Sequence, residues 1–266
     1  MLRLDGVGYR YAGYAKPVLQ DIDLTLGDGE LVGLVGANEA GKSTLCLVAS
    51  GLAPGSIGGA LTGGGLSIDG KPMAGRPLYE FSTRVGIGFQ NPSTQLSGVT
   101  GSVFEEIALG PMNLGLSQRD TIERTREAMA RLGIEDLAER EPRRLSGGQG
   151  QLVVIASLLA MRPPHLVLDE PTAQLDPEGT RLVGEALQAL AATGTALLIA
   201  EHKTDLLAAL CSRVVVIDAG RLVEDGPTEA VLADPRLIDW GVDPPGPIRL
   251  ARAAEVRGLD PALVSA

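Results

Sequence analysis

The stretch GANEAGKST, residues 36–44, decides the fold, because it has the spacing of a loop that cradles phosphate groups. In such a loop the backbone N–H groups converge on the β- and γ-phosphates of a nucleotide. The lysine, here Lys42, neutralises the phosphates, and the hydroxyl of the following serine, Ser43, reaches Mg²⁺. The residues expected to bind the nucleotide and Mg²⁺ here are Gly36, Ala37, Asn38, Glu39, Ala40, Gly41, Lys42, Ser43 and Thr44.

The segments on either side of this loop have the order that a phosphate loop requires. ELVGLVG (30–36) is an apolar run ending in glycine and predicts a buried strand. KSTLCLVASGL (42–52) predicts a helix that ends at Gly51. A strand, a loop and a helix in this order favour a phosphate loop over the alternative, a glycine-rich turn.

The composition is that of one large globular domain, or of one domain with an inserted lobe. The chain has 266 residues, of which 44% are hydrophobic and 21% charged, and a net charge of −10. This acidic balance argues against binding to a nucleic-acid backbone or to an anionic lipid surface. The longest apolar run, 153–161, is far shorter than the stretch of about 20 residues that a membrane-spanning helix needs. We therefore expect no nucleic-acid partner and no direct insertion into a membrane.

Acidic and histidine side chains end two further predicted strands. HLVLDE (165–170) and TALLIAEH (195–202) are apolar runs with polar ends, and ligands of open α/β sheets bind at the carboxyl ends of strands. Asp169 is expected to hold Mg²⁺, directly or through water, and Glu170 to be the general base for the attacking water. Alone, a strand that ends in Asp-Glu is commonly a surface strand end. His165, which opens the first strand, is expected to be structural.

The middle of the chain predicts helices. Ser117 can cap a helix that runs to about Leu132, with Gly133 beyond its end. We therefore expect residues 91–160 to form a helical lobe inserted into an α/β core. The core is expected to comprise residues 1–90 and 161–225.

Two other segments carry local signals. The glycine-dense GSIGGALTGGG (55–65) predicts a loop. RVVVIDAGRLVEDG (213–226) predicts a hairpin that turns at Ala219-Gly220. Residues 226–266 are expected to form a C-terminal extension.

RLSGGQGQ (144–151) is a second candidate anion site, because a serine and two glycines precede an apolar helix. The serine hydroxyl and the free N–H groups of the helix could bind an anion. One chain does not need a second cradle for the same nucleotide. Ser146, Gly147, Gly148 and Gln149 are therefore expected to contact a nucleotide that is held by another copy.

The order of these motifs resembles that of the nucleotide-binding subunits of ABC transporters, with LSGGQ (145–149) between the phosphate loop and VLDEP (167–171). The resemblance covers residues 1–225. It implies an α/β fold of the P-loop NTPase type, in which a RecA-like core with an antiparallel β subdomain carries an inserted α-helical ABC subdomain. A small C-terminal helical extension would follow here. The implied activity is ATP hydrolysis coupled to transmembrane transport.

The resemblance assigns roles to further positions. It places Tyr11 against the adenine, with Tyr9 and Tyr14 as rivals and an edge-strand aromatic as the alternative reading. Gln90, at the junction of core and lobe, is expected to reach Mg²⁺ and the water. His202 matches the switch histidine that touches the γ-phosphate, and a core-filling histidine is its alternative. The expected catalytic residues are thus Lys42, Glu170 and His202, and the expected Mg²⁺ ligands are Ser43, Gln90 and Asp169.

A narrower resemblance is to the energy-coupling factor (ECF) ATPases of vitamin and transition-metal importers. FQNPSTQLSGVTGSVFEEIALGPMNLGL (89–116) has their Gln-Asn-Pro, Gln-Leu and Gly-Pro elements, and the Glu-His pair at 201–202 also fits. DPPGPIRLARAAEVRGL (243–259) resembles their C-terminal helices, so the extension 226–266 is expected to help dimerisation. Two partners are implied: a second ATPase subunit, as a copy or a sister chain, and an integral membrane transporter subunit. The implied location is peripheral, on the cytoplasmic face of the cell membrane.

Three positions depart from the family pattern: Glu39 replaces a glycine, Leu152 an arginine, and Gln174 a small residue. None removes a catalytic group, so we expect a competent site. AQLDP (173–177) resembles the loop that crosses to the partner, with Asp176 as its acidic residue. We expect the Glu39 carboxylate either to accept a hydrogen bond from the partner's Gln174 or simply to face solvent.

Two soluble functions are the alternatives. DNA-repair and chromosome-maintenance ATPases share phosphate loops of the GxNEAGKS type, but they need a long coiled coil where this chain has a compact lobe. Non-transport ABC proteins that act on ribosomes or in iron–sulfur assembly lack the QNPxxQL pattern.

Overall fold

The computed structural model describes residues 1–257, which form two sheets and the helices packed on them. The strands are β1 (Leu2–Arg10), β2 (Leu19–Leu26), β3 (Leu31–Val35), β4 (Ala60–Ile68), β5 (Lys71–Pro72), β6 (Val85–Gly88), β7 (His165–Asp169), β8 (Ala196–Ala200), β9 (Arg213–Asp218) and β10 (Arg221–Pro227). The helices are α1 (Lys42–Ala49), α2 (Leu52–Gly55), α3 (Leu78–Ser82), α4 (Val103–Asn113), α5 (Gln118–Arg131), α6 (Gly147–Met161), α7 (Pro177–Ala191), α8 (Thr204–Leu210), α9 (Thr228–Ala233) and α10 (Gly246–Val256).

The larger sheet has the order β10-β9-β3-β8-β7-β6, and all its neighbours pair in parallel except the edge strand β10. Its central strands are continuous apolar runs because both faces are covered. In β3, Val32 and Leu34 pack toward the smaller sheet and α1, whereas Leu31 and Val35 pack toward the opposite layer of helices. The strands predicted from residues 30–36, 165–170 and 195–202 are confirmed as β3, β7 and β8.

The predicted hairpin is also confirmed, since β9 and β10 pair antiparallel. It turns at Ala219 and Gly220, which have φ values of 45° and 78°. Two positive φ values at the centre of a two-residue turn match the twist of the strands that it joins.

The smaller sheet is antiparallel, with the order β2-β1-β4-β5, and it corrects one expectation. The glycine-dense segment 55–65 is a loop only in its first half, because β4 begins at Ala60 and pairs with β1. The pairing shifts register between Asp5 and Gly8, and the two backbones approach closely there. A Cβ atom on Gly64 would lie 2.1 Å from the Asp5 carbonyl oxygen. These glycines therefore serve a bulged strand.

Between β6 and β7 the chain forms the three helices α4, α5 and α6. As predicted, α5 starts after Ser117, whose hydroxyl accepts the Asp120 N–H at 3.1 Å. Helix α4 starts after Ser102, which forms a capping box with Glu105.

The limits of the three predicted domains remain predictions. The end of the predicted extension, 258–266, lies outside the described residues. Among the helices of residues 1–257, none combines the length and the apolar character needed to cross a bilayer.

Candidate nucleotide-binding and hydrolysis site

The phosphate loop lies between β3 and α1 and is held against the β9–β10 hairpin. The Gly220 N–H donates to the Ala40 carbonyl at 2.9 Å. A Cβ atom on Gly36 would lie 2.2 Å from the Ile217 carbonyl oxygen, so the loop fits here only with glycine at this position. Gly41 has a φ of 114°, a conformation that side-chain-bearing residues rarely adopt.

Lys42 is the first residue of α1, and its side chain folds back under the loop. It is 6% exposed, and its Nζ donates to the carbonyls of Gly36 at 2.8 Å and Ala37 at 2.9 Å. An ammonium has three N–H donors, so one is left for a phosphate oxygen. Burial lowers the pKa of Lys42, and the charges of Glu170 and Asp169 oppose that shift. The first three amides of α1 have no partner within the helix and provide an anion-binding end.

A cleft of about 310 Å³ opens over this loop. It is lined by Tyr11, Tyr14, Val18, Asn38, Glu39, Gly41, Lys42, Ser43, Thr44 and Glu170. The structure therefore brings the predicted aromatic, the predicted phosphate ligands and the predicted general base to one cavity.

Asp169 ends β7 beside this cleft and has the properties of a metal ligand. Its Oδ1 is buried and has no hydrogen-bond partner within the described part of the chain. Burial raises the pKa of Asp169, the nearby Ser43 hydroxyl lowers it, and the charge of Glu170 raises it further. A carboxylate and a hydroxyl oxygen suit Mg²⁺, a hard cation that binds oxygen ligands. The donor set of Asp169 and Ser43 therefore fits the ion that the sequence predicts.

Glu170 is held by two side chains that the sequence places far from it. The Gln90 amide donates to its Oε2 at 2.7 Å, and His202 Nε2 lies 3.1 Å from its Oε1. Glu170 itself has a φ of 50°, and such strained backbone is common at functional sites. Two hydrogen-bonding neighbours thus orient the carboxylate in the lining of the cleft, as the predicted general base requires.

The three tyrosines considered for the adenine contact differ in how deeply they are buried. Tyr9 is fully buried, and its hydroxyl donates to the Gly58 carbonyl at 2.6 Å, so it does not face the cleft. Tyr11 is half-buried, and its hydroxyl lies 3.1 Å from Thr44 Oγ1, with which it shares a hydrogen bond. Tyr14 is exposed, and its ring centroid lies 5.9 Å from that of Tyr11. Tyr11 and Tyr14 are the two rings that can reach a base in the cleft.

The residues of the LSGGQ motif lie elsewhere, since none of residues 146–149 lines the cleft. Ser146 caps α6, and it forms a capping box with Gln149. The amides of Gly147 and Gly148 in the first turn stay without partners in the helix. Asp176 similarly caps α7, where its carboxylate accepts the Gly179 N–H at 2.7 Å.

The three departures from the family pattern have distinct surroundings. Glu39 is exposed and has a φ of 65°, the left-handed region that a glycine occupies without strain. The Gln174 side chain packs against Gly147 of the same chain. A Cβ atom added at Gly147 would lie 2.2 Å from the Gln174 amide oxygen. Leu152 is half-buried and packs on the core. A contact between Glu39 and the partner's Gln174 stays a prediction.

Sequence reasoning noted Glu201 only as part of the Glu-His pair and gave it no role, although it is 2% exposed next to His202. Its Oε1 accepts the Thr172 N–H at 3.0 Å and the Thr172 hydroxyl at 2.5 Å. Its Oε2 accepts the His202 N–H at 3.1 Å. Glu201 thus ties the segment that carries His202 to the segment that follows Glu170. A carboxylate at the end of the apolar run 195–202 was the available signal.

Comparison with known proteins places the chain in a family. Its sequence matches the ABC transporter family over residues 19–173. It is 39% identical to the cobalt import ATP-binding protein CbiO of Rhodobacter capsulatus, over 94% of this chain and 88% of that protein. It is 38% identical to the energy-coupling factor transporter ATP-binding protein EcfA of Methanosarcina acetivorans, over 97% and 91% of the two chains.

Solved structures agree. The structure of cbiO1 from Clostridium perfringens, described as part of the ABC transporter complex cbiONQ, matches with a TM-score of 0.77 at 30% identity. The match covers 97% of this chain and 98% of that one. A dimeric ATP-binding cassette bound to ADP and Pi shares the fold with a TM-score of 0.75 at 24% identity.

The family and the fold class predicted from the motifs are therefore confirmed, and the relatives favour a transporter ATPase over the soluble alternatives. The chain belongs to the ABC transporter family and is an ATP-hydrolysing subunit of the energy-coupling factor type.

Proposed function

We propose that two ATPase subunits meet head to tail and enclose ATP between the phosphate loop of one and residues 146–149 of the other. The observation that carries this proposal is the separation within one chain: the cleft holds the phosphate loop and Glu170 but none of residues 146–149. The amides of Gly147 and Gly148 lie at the start of a helix, where anions bind favourably. A second copy, or a sister chain, completes the site.

In this arrangement each of the predicted site residues has one task. Lys42 and the loop amides neutralise the β- and γ-phosphates, and Tyr11 stacks on the adenine. Ser43, Asp169 and Gln90 hold Mg²⁺, which neutralises charge on the transferred phosphoryl group. Glu170 takes a proton from the attacking water, while His202, beside it, faces the γ-phosphate. Asp176 lies in the segment that crosses to the partner.

ATP then acts as a ligand that binds the closed dimer better than the open one, so it drives closure, and hydrolysis removes that preference. Closure of the dimer can power transport only if it changes the conformation of another subunit. We propose that this is an integral membrane subunit, which holds the ATPase pair at the cytoplasmic face of the membrane. One relative is named for cobalt import, and the resemblance to the ECF ATPases implies a vitamin or a transition-metal ion as cargo.

A groove beside α4 suits the membrane partner. It has a volume of about 460 Å³ and lies between α3, α4 and α6. Tyr79, which is 69% exposed, and Leu114 give it an apolar rim. The buried Glu106 shapes its wall, since its carboxylate accepts from the Ser97 hydroxyl at 2.6 Å and the Thr100 hydroxyl at 2.5 Å. An amphipathic helix is the shape that such a groove takes.

The test replaces Glu170 by Gln, which keeps the size of the side chain and removes its basicity. ATP binding should be unchanged, and turnover should fall by at least about 100-fold. With ATP and Mg²⁺ the variant should elute as a stable dimer in size-exclusion chromatography. The exposed Glu123→Gln on α5 makes the same charge change away from the cleft and should behave as wild type. Normal turnover in Glu170→Gln would disprove the assignment.

A further inference from the structure

Three side chains of metal-binding type meet at the end of β7 that is opposite to the hydrolysis site. Asp28 lies between β2 and β3, Asp69 follows β4, and His165 opens β7. One ligand atom of each lies within 4.8 Å of the others. Because β7 runs from His165 to Asp169, the cluster lies about 13 Å from the predicted Mg²⁺ ligand. It is therefore separate from the nucleotide site.

His165 is the informative member of the cluster. It is 1% exposed, and its Nδ1 lies 3.3 Å from the Arg84 carbonyl oxygen. A carbonyl only accepts hydrogen bonds, so Nδ1 carries the proton and Nε2 has a free lone pair. That Nε2 is buried without a hydrogen-bond partner among residues 1–257. Burial also lowers the pKa of His165, which favours the neutral ring. A buried acceptor of this kind is normally paired with a protein group, an ordered water or an ion.

The two carboxylates pair with the Met1 ammonium, which leaves His165 Nε2 without a hydrogen-bond partner among the described residues. The Met1 ammonium lies 2.7 Å from Asp28 Oδ1 and 2.8 Å from Asp69 Oδ1, and Arg84 lies 3.0 Å from Asp69 Oδ2. An ammonium pairs with both carboxylates but leaves the Nε2 lone pair unused here. A metal ion can accept lone pairs from all three groups.

We propose that Asp28, Asp69 and His165 form a site for a divalent transition-metal ion, which displaces the Met1 ammonium when it binds. A neutral imidazole that donates its other N–H to a backbone carbonyl is the usual form of a metal-binding histidine. A mixed imidazole and carboxylate set suits Zn²⁺, Co²⁺ or Ni²⁺ better than Mg²⁺ or Ca²⁺.

The three ligand atoms can approach one another closely enough to bind one ion. Metal–ligand bonds of about 2.0 to 2.2 Å require ligand atoms about 3 to 4 Å apart. The side chains of Asp28 and Asp69 are 75% and 50% exposed, so both can move that distance when the ion displaces the Met1 ammonium. The bound ion would join two turns at the smaller sheet to β7 of the larger one, and it would stabilise the fold through preferential binding to the native state.

The experiment titrates the nucleotide-free, untagged full chain with Co²⁺. We expect one equivalent to bind, with visible absorption bands, and to raise the midpoint of thermal unfolding. Asp28→Asn and Asp69→Asn should each lower the affinity by about tenfold or more. Asp239→Asn, an exposed aspartate elsewhere, makes the same charge change and should bind as wild type.

The chain has two histidines, so imidazole ¹⁵N resonances identify the nitrogen that binds. Zn²⁺ should shift Nε2 of His165 and leave His202 unchanged, and His202→Ala assigns the two signals. The proposal is wrong if no equivalent binds, if Asp28→Asn binds as wild type, or if only His202 shifts.

Discussion

Glu39 shows at the scale of one residue how a departure from a motif acts on the backbone rather than on the chemistry. Its φ of 65° lies in the left-handed region, which costs a residue with a Cβ roughly 1 to 2 kcal/mol. Its carboxylate is exposed at the edge of the cleft, while the predicted phosphate ligand Lys42 and the predicted Mg²⁺ ligand Ser43 line the same cleft. The glutamate therefore leaves the predicted ligands of the loop in place.

Glu39→Gly should stabilise the isolated subunit by about 0.5 to 1 kcal/mol, because part of the relieved strain is offset by the freedom of glycine in the unfolded chain. Denaturant unfolding measures the gain. Glu39→Ala is the matched control, since it removes the carboxylate and keeps the strain, and it should not be stabilised. Equal stability of the glycine and alanine variants would refute the strain argument. If both variants also lose ATP-dependent dimerisation, the carboxylate contacts the partner.

Asp169 should make the nucleotide-free subunit less stable as the pH rises. Its folded pKa is raised above the unfolded value, so its favourable contribution is complete below the unfolded pKa and is lost as the pH rises through the folded pKa. Asp169→Asn should therefore be more stable than wild type near neutral pH, by about 1 kcal/mol. The difference should vanish in acid, where the wild-type carboxyl is also neutral.

Urea unfolding across a pH series, without Mg²⁺ or nucleotide, measures this effect. Asp239→Asn serves as the control for removal of a surface charge. A gain in Asp169→Asn that stays constant over the whole series would contradict the pKa argument. The variant should also lose Mg²⁺-dependent ATP hydrolysis, so at this residue function opposes stability.

At the scale of elements, sequence patterns predicted the helices and strands whose formation depends on residues that are close in the sequence. Apolar runs of fixed length predicted β3, β7 and β8, and the serine cap predicted the start of α5. The prediction failed for β4, because glycine signals a loop in isolation. Only the close approach of β1, visible at Gly64, explains why a strand contains it. For the same reason the contact of Gln90 with Glu170, 80 positions away, was not predicted, and the family resemblance placed Gln90 only near Mg²⁺ and the water.

Glu201 joins two elements, and its removal should slow catalysis more than it weakens ATP binding. In Glu201→Gln one acceptor oxygen becomes an NH2 group, which would face the N–H of either Thr172 or His202, so one side of the link between the two segments would be lost. Small displacements of a catalytic group cost up to about 100-fold in rate. We expect kcat to fall about tenfold or more, with KM for ATP little changed.

Steady-state ATPase kinetics test this expectation. Thr172→Val removes one of the hydrogen bonds to Glu201 and keeps the shape of the side chain, so it should reproduce part of the loss. Glu123→Gln should match wild type. A wild-type kcat in Glu201→Gln would show that the buried carboxylate does not position His202.

At the scale of the whole molecule, the fold separates the two segments that the proposed site needs, and each chain carries both. The phosphate loop follows β3, and residues 146–149 open α6 on the helical layer between β6 and β7. In a symmetric pair, if the phosphate loop of one chain contacts residues 146–149 of its partner, then residues 146–149 of the first chain contact the phosphate loop of the partner. One chain then supplies one half of each of two equal sites.

This symmetry predicts that two inactive variants restore each other. Lys42→Ala removes the phosphate ligand, and Ser146→Asp places a carboxylate where the γ-phosphate must bind while keeping a good cap for α6. Each variant alone should be inactive, because both of its sites carry the defect. In a mixed dimer, the loop of the Ser146→Asp chain meets the intact motif of the Lys42→Ala chain. An equimolar mixture should recover roughly a quarter of the wild-type rate, since half the dimers are mixed and each has one intact site of two.

The control is Ser146→Asn, which keeps the cap without the charge and should retain activity alone. If the mixture stays inactive while each variant is folded and Lys42→Ala still dimerises, copies of this chain do not pair head to tail, and a sister ATPase would have to supply the missing half.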